Sequence, residues 1–155
     1  MIDEFRQTLI DAAPLIRGCQ SVFRLDESTW AITFEDGPPV TVTAEETYGR
    51  IILSTTVGRP EEALRGSTCE VLMVFNGLWR QSGGQRFGME EPDGDIEFLQ
   101  ELSLRELTVE QLVQAMALFV DSSRGWRTLI ETHGGLDADE HRESLEPILG
   151  QGIRV

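Results

Sequence analysis

Residues that carry chemistry are scarce in this chain. It has two cysteines, Cys19 and Cys69, and two histidines, His133 and His141. None stands in an HxxxH, CxxC or DxDxDG spacing, so neither a metal nor a cofactor is expected. Two isolated cysteines also exclude a disulfide framework; in a reducing compartment they read as small buried apolar residues. The start, Met1-Ile2-Asp3-Glu4-Phe5, has no basic cluster and no apolar block behind it, and no later apolar run is long enough to span a bilayer. The chain is therefore expected in the cytoplasm. Positive charge is the remaining shortage: 13 basic residues face 27 acidic ones, for a net charge of −14. Such a surface repels a phosphate backbone or an anionic lipid, so nucleic acid and membrane are not expected partners. The acidity itself leaves two readings open, plain solubility and steering toward a basic or polar partner.

A catalytic set is missing as well. No phrase around Cys19 or Cys69 resembles a nucleophile elbow or a thiol-enzyme signature, although pairing of either with His133 is the enzyme reading that sequence alone leaves standing. Gly83-Gly84 and Gly134-Gly135 lack the strand-to-helix context and the lysine of a phosphate loop, and read as turn and cap residues. With so many carboxylates, close pairs arise by chance. No catalytic residue is assigned, and the chain is not expected to be an enzyme. Trp30, Trp79 and Trp126 each fall on an apolar stripe and are expected in the core.

What is present is enough for one domain with a real core: 155 residues, 40% of them hydrophobic. Ile2, Phe5, Leu9, Ala12, Ala13 and Ile16 recur at helical spacing before Gly18, and Pro14 kinks or shortens the last turn. Trp30, Ile32 and Phe34, then Val40 and Val42, then Ile51 and Leu53 mark three strands. Asp36-Gly37-Pro38-Pro39 turns the chain between the first two, and the three form an antiparallel meander. These apolar residues face inward, which leaves Ala31, Thr33, Thr41, Thr43, Ile52 and Ser54 on a mild outer face. The segment 61–79 is helical but apolar on two sides: Leu64, Val71, Leu72, Phe75, Leu78 and Trp79 make one face, and Cys69, Met73 and Val74 extend toward a second. That second face needs a partner, and another copy of the chain fits. Two short strands at 85–90 and 95–102 follow, and the Thr108/Gln111 capping box starts a final helix carrying Leu112, Val113, Met116, Phe119, Val120 and Trp126.

The expected class is α+β, in the order α-β-β-β-α-β-β-α, with a twisted antiparallel sheet and helices packed on it. The domain is expected over 1–134, with 135–155 an acidic tail, flexible or weakly helical.

Several phrases carry a family resemblance. Phe34-Glu35-Asp36-Gly37 is similar to a strand ending in a DG-type turn. Leu53 to Val57, running into Gly58-Arg59-Pro60, resembles a third strand leading to a loop before the second helix. Val71-Leu72-Met73-Val74-Phe75-Asn76-Gly77 resembles an apolar helix closed by an asparagine. Ser82-Gly83-Gly84, Pro92-Asp93-Gly94, Phe119-Val120 and Trp126-Arg127 complete the series. Over residues 2–131 the chain resembles the class I type III secretion chaperones, the Tir chaperone-like family. The doubled proline after Gly37 and the long tail depart from that pattern.

The resemblance implies a homodimer that binds the N-terminal region of a secreted effector and keeps it extended and secretion-competent, without nucleotide, with the export apparatus as a further partner. Cys69, Met73, Val74, Asn76 and Gly77 are the candidate dimer interface. Phe23 and Leu25, in the link before the first strand, and Ala31, Thr33 and Ile52, on the outer face, are the candidate effector-binding residues, because exposed apolar groups on an acidic chain mark a docking site. The alternative is a YbjN-like adaptor or regulatory domain of the same fold that binds a folded partner.

Overall fold

In the computed structural model, which describes residues 1–137, the elements run α1 (Ile2–Ala12), β1 (Cys19–Arg24), β2 (Thr29–Phe34), β3 (Val40–Glu45), β4 (Arg50–Gly58), α2 (Glu62–Gly77), β5 (Gln85–Gly88), β6 (Ile96–Ser103) and α3 (Val109–Arg127). The six strands form one antiparallel sheet in the order β1-β2-β3-β4-β6-β5. The α+β class and the antiparallel sheet are as expected, with one strand more.

That strand is β1, where the sequence reading had only a link. Its residues show no alternation because it is an edge: its register on β2 slips between Cys19 and Ser21, and no residue in it is fully buried. An edge strand with one covered face gives little apolar signal. Phe23 accordingly belongs to a strand, opposite Ala31. Leu25 sits in the following turn, where its N–H donates to the Thr29 carbonyl at 2.9 Å and the Asp26 carboxylate accepts from the Ser28 N–H at 2.8 Å.

Elsewhere the alternation holds. Trp30, Ile32, Phe34, Val40, Val42, Ile51 and Leu53 are all buried, and Ala31, Thr33, Thr41, Thr43, Ile52 and Ser54 are half-covered on the other side. All three helices meet the buried side. Phe5 of α1 packs edge-on against Trp30 at 5.4 Å, Phe119 of α3 stacks on Phe98 at 5.0 Å, and Phe75 of α2 meets Phe87 at 5.3 Å. Helix α1 stops at Ala12 and a short 3-10 turn, Ala13–Leu15, carries Pro14, as its missing N–H requires. The Thr108/Gln111 capping box opens α3 with both of its hydrogen bonds, 2.9 and 3.2 Å.

Two expectations change. Trp30 is buried and Trp126 half-buried between Phe75 and Phe87, but Trp79 is 53% exposed. The reason is that α2 ends at Gly77; the turn that follows takes Trp79 off the helical stripe, and Arg80 covers its ring at 5.0 Å. Packing also continues past residue 134: Leu136 is buried and its N–H donates to Thr68 Oγ1 at 2.9 Å. Most of the expected tail, residues 138–155, lies outside the described residues.

The helix α3 face is testable. Phe119→Ala should cost about 3–5 kcal/mol of unfolding free energy, as large buried aromatics do, whereas Leu118→Ala, at a 66% exposed position, should cost less than about 0.5 kcal/mol. Urea unfolding of the two variants checks the contrast; equal losses would mean that α3 is rotated from the position described.

Candidate partner-binding surfaces

Because every helix among the described residues packs on one side, no described helix covers the other face of the sheet. Residues directly opposite one another trace rows across it. One row runs Phe23, Ala31, Thr41, Ser54, Leu99 and Arg86 through all six strands. The neighbouring row runs Thr29, Thr43, Ile52 and Glu101. Thr33 stands opposite Ser21, their hydroxyls 2.5 Å apart. Of the five candidate effector-binding residues, four thus share this face, and Leu25 stands off it in the turn. Phe23 and Ile52 are not neighbours: with strands about 4.8 Å apart, they lie about 15 Å from each other. Threonine and alanine fill the gap, so an extended segment crossing the strands would meet Phe23, a smooth β-branched strip and Ile52. At the Glu97 end of β6 the face turns acidic. The Glu97 carboxyl is pushed above the usual glutamate range by its partial burial and by the Glu90 and Asp95 charges beside it.

The two edges of the sheet differ. Among the described residues no strand pairs with the outer side of β1. At β5, the Asn76 amide closes the edge: its Nδ2 donates to the Phe87 carbonyl at 2.9 Å, and its Oδ1 accepts the Phe87 N–H at 2.8 Å. The asparagine ending the apolar helix therefore satisfies this chain's own backbone, and a strand added from outside would have to displace it.

On the outer side of α2, Met73 is 73% exposed, Val74 is exposed and Cys69 half-covered, and Met89 from beyond β5 extends the patch. Cys69, Met73, Met89, Phe87 and Ile96 line an apolar hollow of about 200 Å³ there. Gly77 lies exposed at the end of the helix, and Asn76 faces β5. Met89 was not singled out in the sequence, because it follows a strand too short for alternation to place it.

Both thiols are free, on β1 and α2, at opposite edges of the sheet. Burial pushes the Cys19 thiol up, away from the thiolate a nucleophile needs. Among the described residues no helix is long and apolar enough to cross a membrane.

Comparison with known proteins bears on the family of the chain. No curated protein sequence matches the chain. Among solved structures, the ExsC–ExsE complex matches with a TM-score of 0.69 at 21% identity, over 83% of this chain and 95% of that one. The HopA1–SchA chaperone–effector complex matches at 0.64 and 20% identity, over 79% and 92%. YbjN from E. coli, described as a putative transcription regulator, matches at 0.58 and 14% identity, over 86% and 93%. At these identities the likeness is one of fold. The model of the Tir chaperone protein (CesT) family matches residues 15–127, most of the described chain, and the protein belongs to that family.

Proposed function

We propose that this protein is a cytoplasmic type III secretion chaperone that binds the N-terminal region of a secreted effector and holds it extended, non-covalently, without nucleotide, metal or catalysis. The family match over residues 15–127 carries this reading. The HopA1–SchA structure, a chaperone with its effector, and the ExsC–ExsE complex share its fold. The likeness to YbjN is one of fold at 14% identity and brings no function with it.

The helix-free sheet face is the surface we assign to the effector. A segment without its own core can lay apolar side chains on Phe23, Ala31, Thr33 and Ile52 and add backbone hydrogen bonds along the β1 edge. Leu25, in the adjoining turn, is 59% exposed and extends the apolar rim of that edge. Ordering the segment costs several kcal/mol, which a large contact area offsets. We assign the exposed side of α2, with Cys69, Met73, Val74 and Met89, to a second copy of the chain.

Two outcomes test these assignments. The partner is recovered with the protein from its native host and its N-terminal segment expressed. Each buried apolar side chain contributes about 1.5–3 kcal/mol, so Phe23→Asp with Ile52→Asp should weaken binding about 100-fold or more, far beyond the effect of raising the salt. Circular dichroism should not change. A complex that moderate salt dissociates but both substitutions leave intact would place the partner elsewhere. For the dimer, an interface of about 800 Å² per partner does not tolerate an unpaired central charge. Met73→Glu should therefore give a folded monomer by light scattering where the wild type is a dimer; a monomeric wild type would end this assignment.

A further inference from the structure

A cleft of about 660 Å³ opens where the connector between β3 and β4, the end of β6 and the turn after α2 meet. Tyr48, Arg50, Trp79, Arg86 and Glu101 line it. Its two aromatic rings are largely in solvent, Tyr48 at 72% and Trp79 at 53% exposure, with Arg50 over the first at 4.9 Å and Arg80 over the second at 5.0 Å. The floor is a chain of ion pairs. Arg50 Nε donates to Glu45, Arg50 Nη1 donates to Glu101 Oε2 at 3.1 Å, and Arg86 Nη2 donates to the same oxygen at 2.8 Å.

Arginine is concentrated here. All 13 basic residues of the chain are arginine, and four of them gather at this cleft: Arg50 and Arg86 in its wall, Arg80 over the Trp79 ring, and Arg105 beside Gly49. Glu45 and Glu101 are the carboxylates bonded to these arginines among the described residues, and Glu46 nearby is held by the Met1 ammonium at 3.2 Å. In a chain of net charge −14 this is a place where an acidic group is attracted and not repelled. Arg86, with 50% of its side chain exposed, has guanidinium N–H groups left to offer a second carboxylate. Tryptophan, tyrosine and arginine are also the residue types that dominate binding hot spots. The cleft adjoins the face assigned to the effector, because Ile52 lies directly opposite Glu101 in the sheet.

We propose that this cleft takes an acidic segment of the bound polypeptide, a carboxylate on Arg86 and Arg50 with an adjacent aromatic or large aliphatic side chain between Tyr48 and Trp79. The proposal rests on the chaperone reading and adds to it an anchor of defined chemistry. A segment crossing the sheet past Ile52 reaches the cleft at the end of that path. Acidic side chains elsewhere on the segment are repelled, so the anchor fixes its position along the face.

A displayed random peptide library, selected on the wild type and on the Arg86→Gln/Trp79→Ala variant, tests it. Both positions are exposed, and an unchanged circular dichroism spectrum verifies the fold; Trp79→Ala alone serves as a second variant, since that ring has no place in the core. The wild type should enrich peptides in which Asp or Glu adjoins an aromatic or leucine. Those peptides should bind the double variant at least about tenfold more weakly, and changing their carboxylates to amides should cost a similar factor. Enriched peptides without carboxylates, no enrichment, or equal binding to the variant would overturn the proposal. So would conversion of a wild-type dimer to monomer by Trp79→Ala, which would give the cleft to a second copy. Co-purified partner, measured on the Phe23→Asp/Ile52→Asp protein, separates the two readings: if that pair releases it while acidic peptides ignore the cleft, the chaperone stands and the anchor falls.

Discussion

Stacking of Phe119 on Phe98, ring centroids 5.0 Å apart, commits the longest helix to one side of the sheet, and the rest of the molecule follows from that choice. Phe98 touches Phe87, and Phe87 meets Trp126 and Phe75, so one aromatic chain joins α3, β6, β5 and α2. Edge-on and tilted aromatic contacts add about 0.5–1.5 kcal/mol each beyond their burial. They also fix the distance of the helices from the sheet. Once α1, α2 and α3 all lie on this side, no described helix remains for the other, and a face of threonine, alanine and a few large apolar residues is left uncovered among the described residues.

The two edges complete the asymmetry. An unpaired strand edge is a template for any extended chain, and a protein that binds such chains must limit where they add. At β5 the limit is one side chain: the Asn76 amide supplies to Phe87 the donor and the acceptor that a neighbouring strand would have supplied. Among the described residues β1 has no such guard, and it carries Phe23 on the open face. Edge and face therefore meet at one corner of the sheet, where, on the proposed assignment, backbone pairing and side-chain docking would act on the same segment.

The parts of this arrangement that repeat were legible in the sequence, and the parts that occur once were not. Alternation over β2, β3 and β4 gives the buried and open sides residue by residue, because a strand between two others has no freedom to slip without turning its apolar side to water. The Thr108/Gln111 box marks the start of α3 because a helix end has unsatisfied N–H groups whatever surrounds it. β1 left no such mark, since an edge strand takes its shape from its neighbour. Trp79 was misplaced because a helical stripe says nothing of where the helix stops; α2 ends two residues earlier. The arginine cleft draws on residues 48–50, 79–86 and 101, and only the sheet order β4-β6-β5 brings them together. In the sequence, alternation places Ile52 on the outer face and leaves Phe23 in a link outside every stripe; that the two share a face is a fact of register.

A surface that holds apolar segments, as proposed for the open face, invites its own aggregation, and the composition of that face answers the problem. Between Phe23 and Ile52 stand Ala31, Thr41 and Thr43, so these two large apolar groups are spaced apart. Threonine suits the pleated backbone while its hydroxyl keeps water on the surface, so the empty face stays hydrated and the filled one loses little. The charge of −14 works on the same problem at longer range: empty copies repel one another over about a Debye length, roughly 8 Å at physiological salt. A partner segment approaches closer than that and meets the apolar side chains directly. Repulsion that is screened beyond this range and burial that acts only at contact thus let one face be soluble alone and adhesive to a segment laid across it.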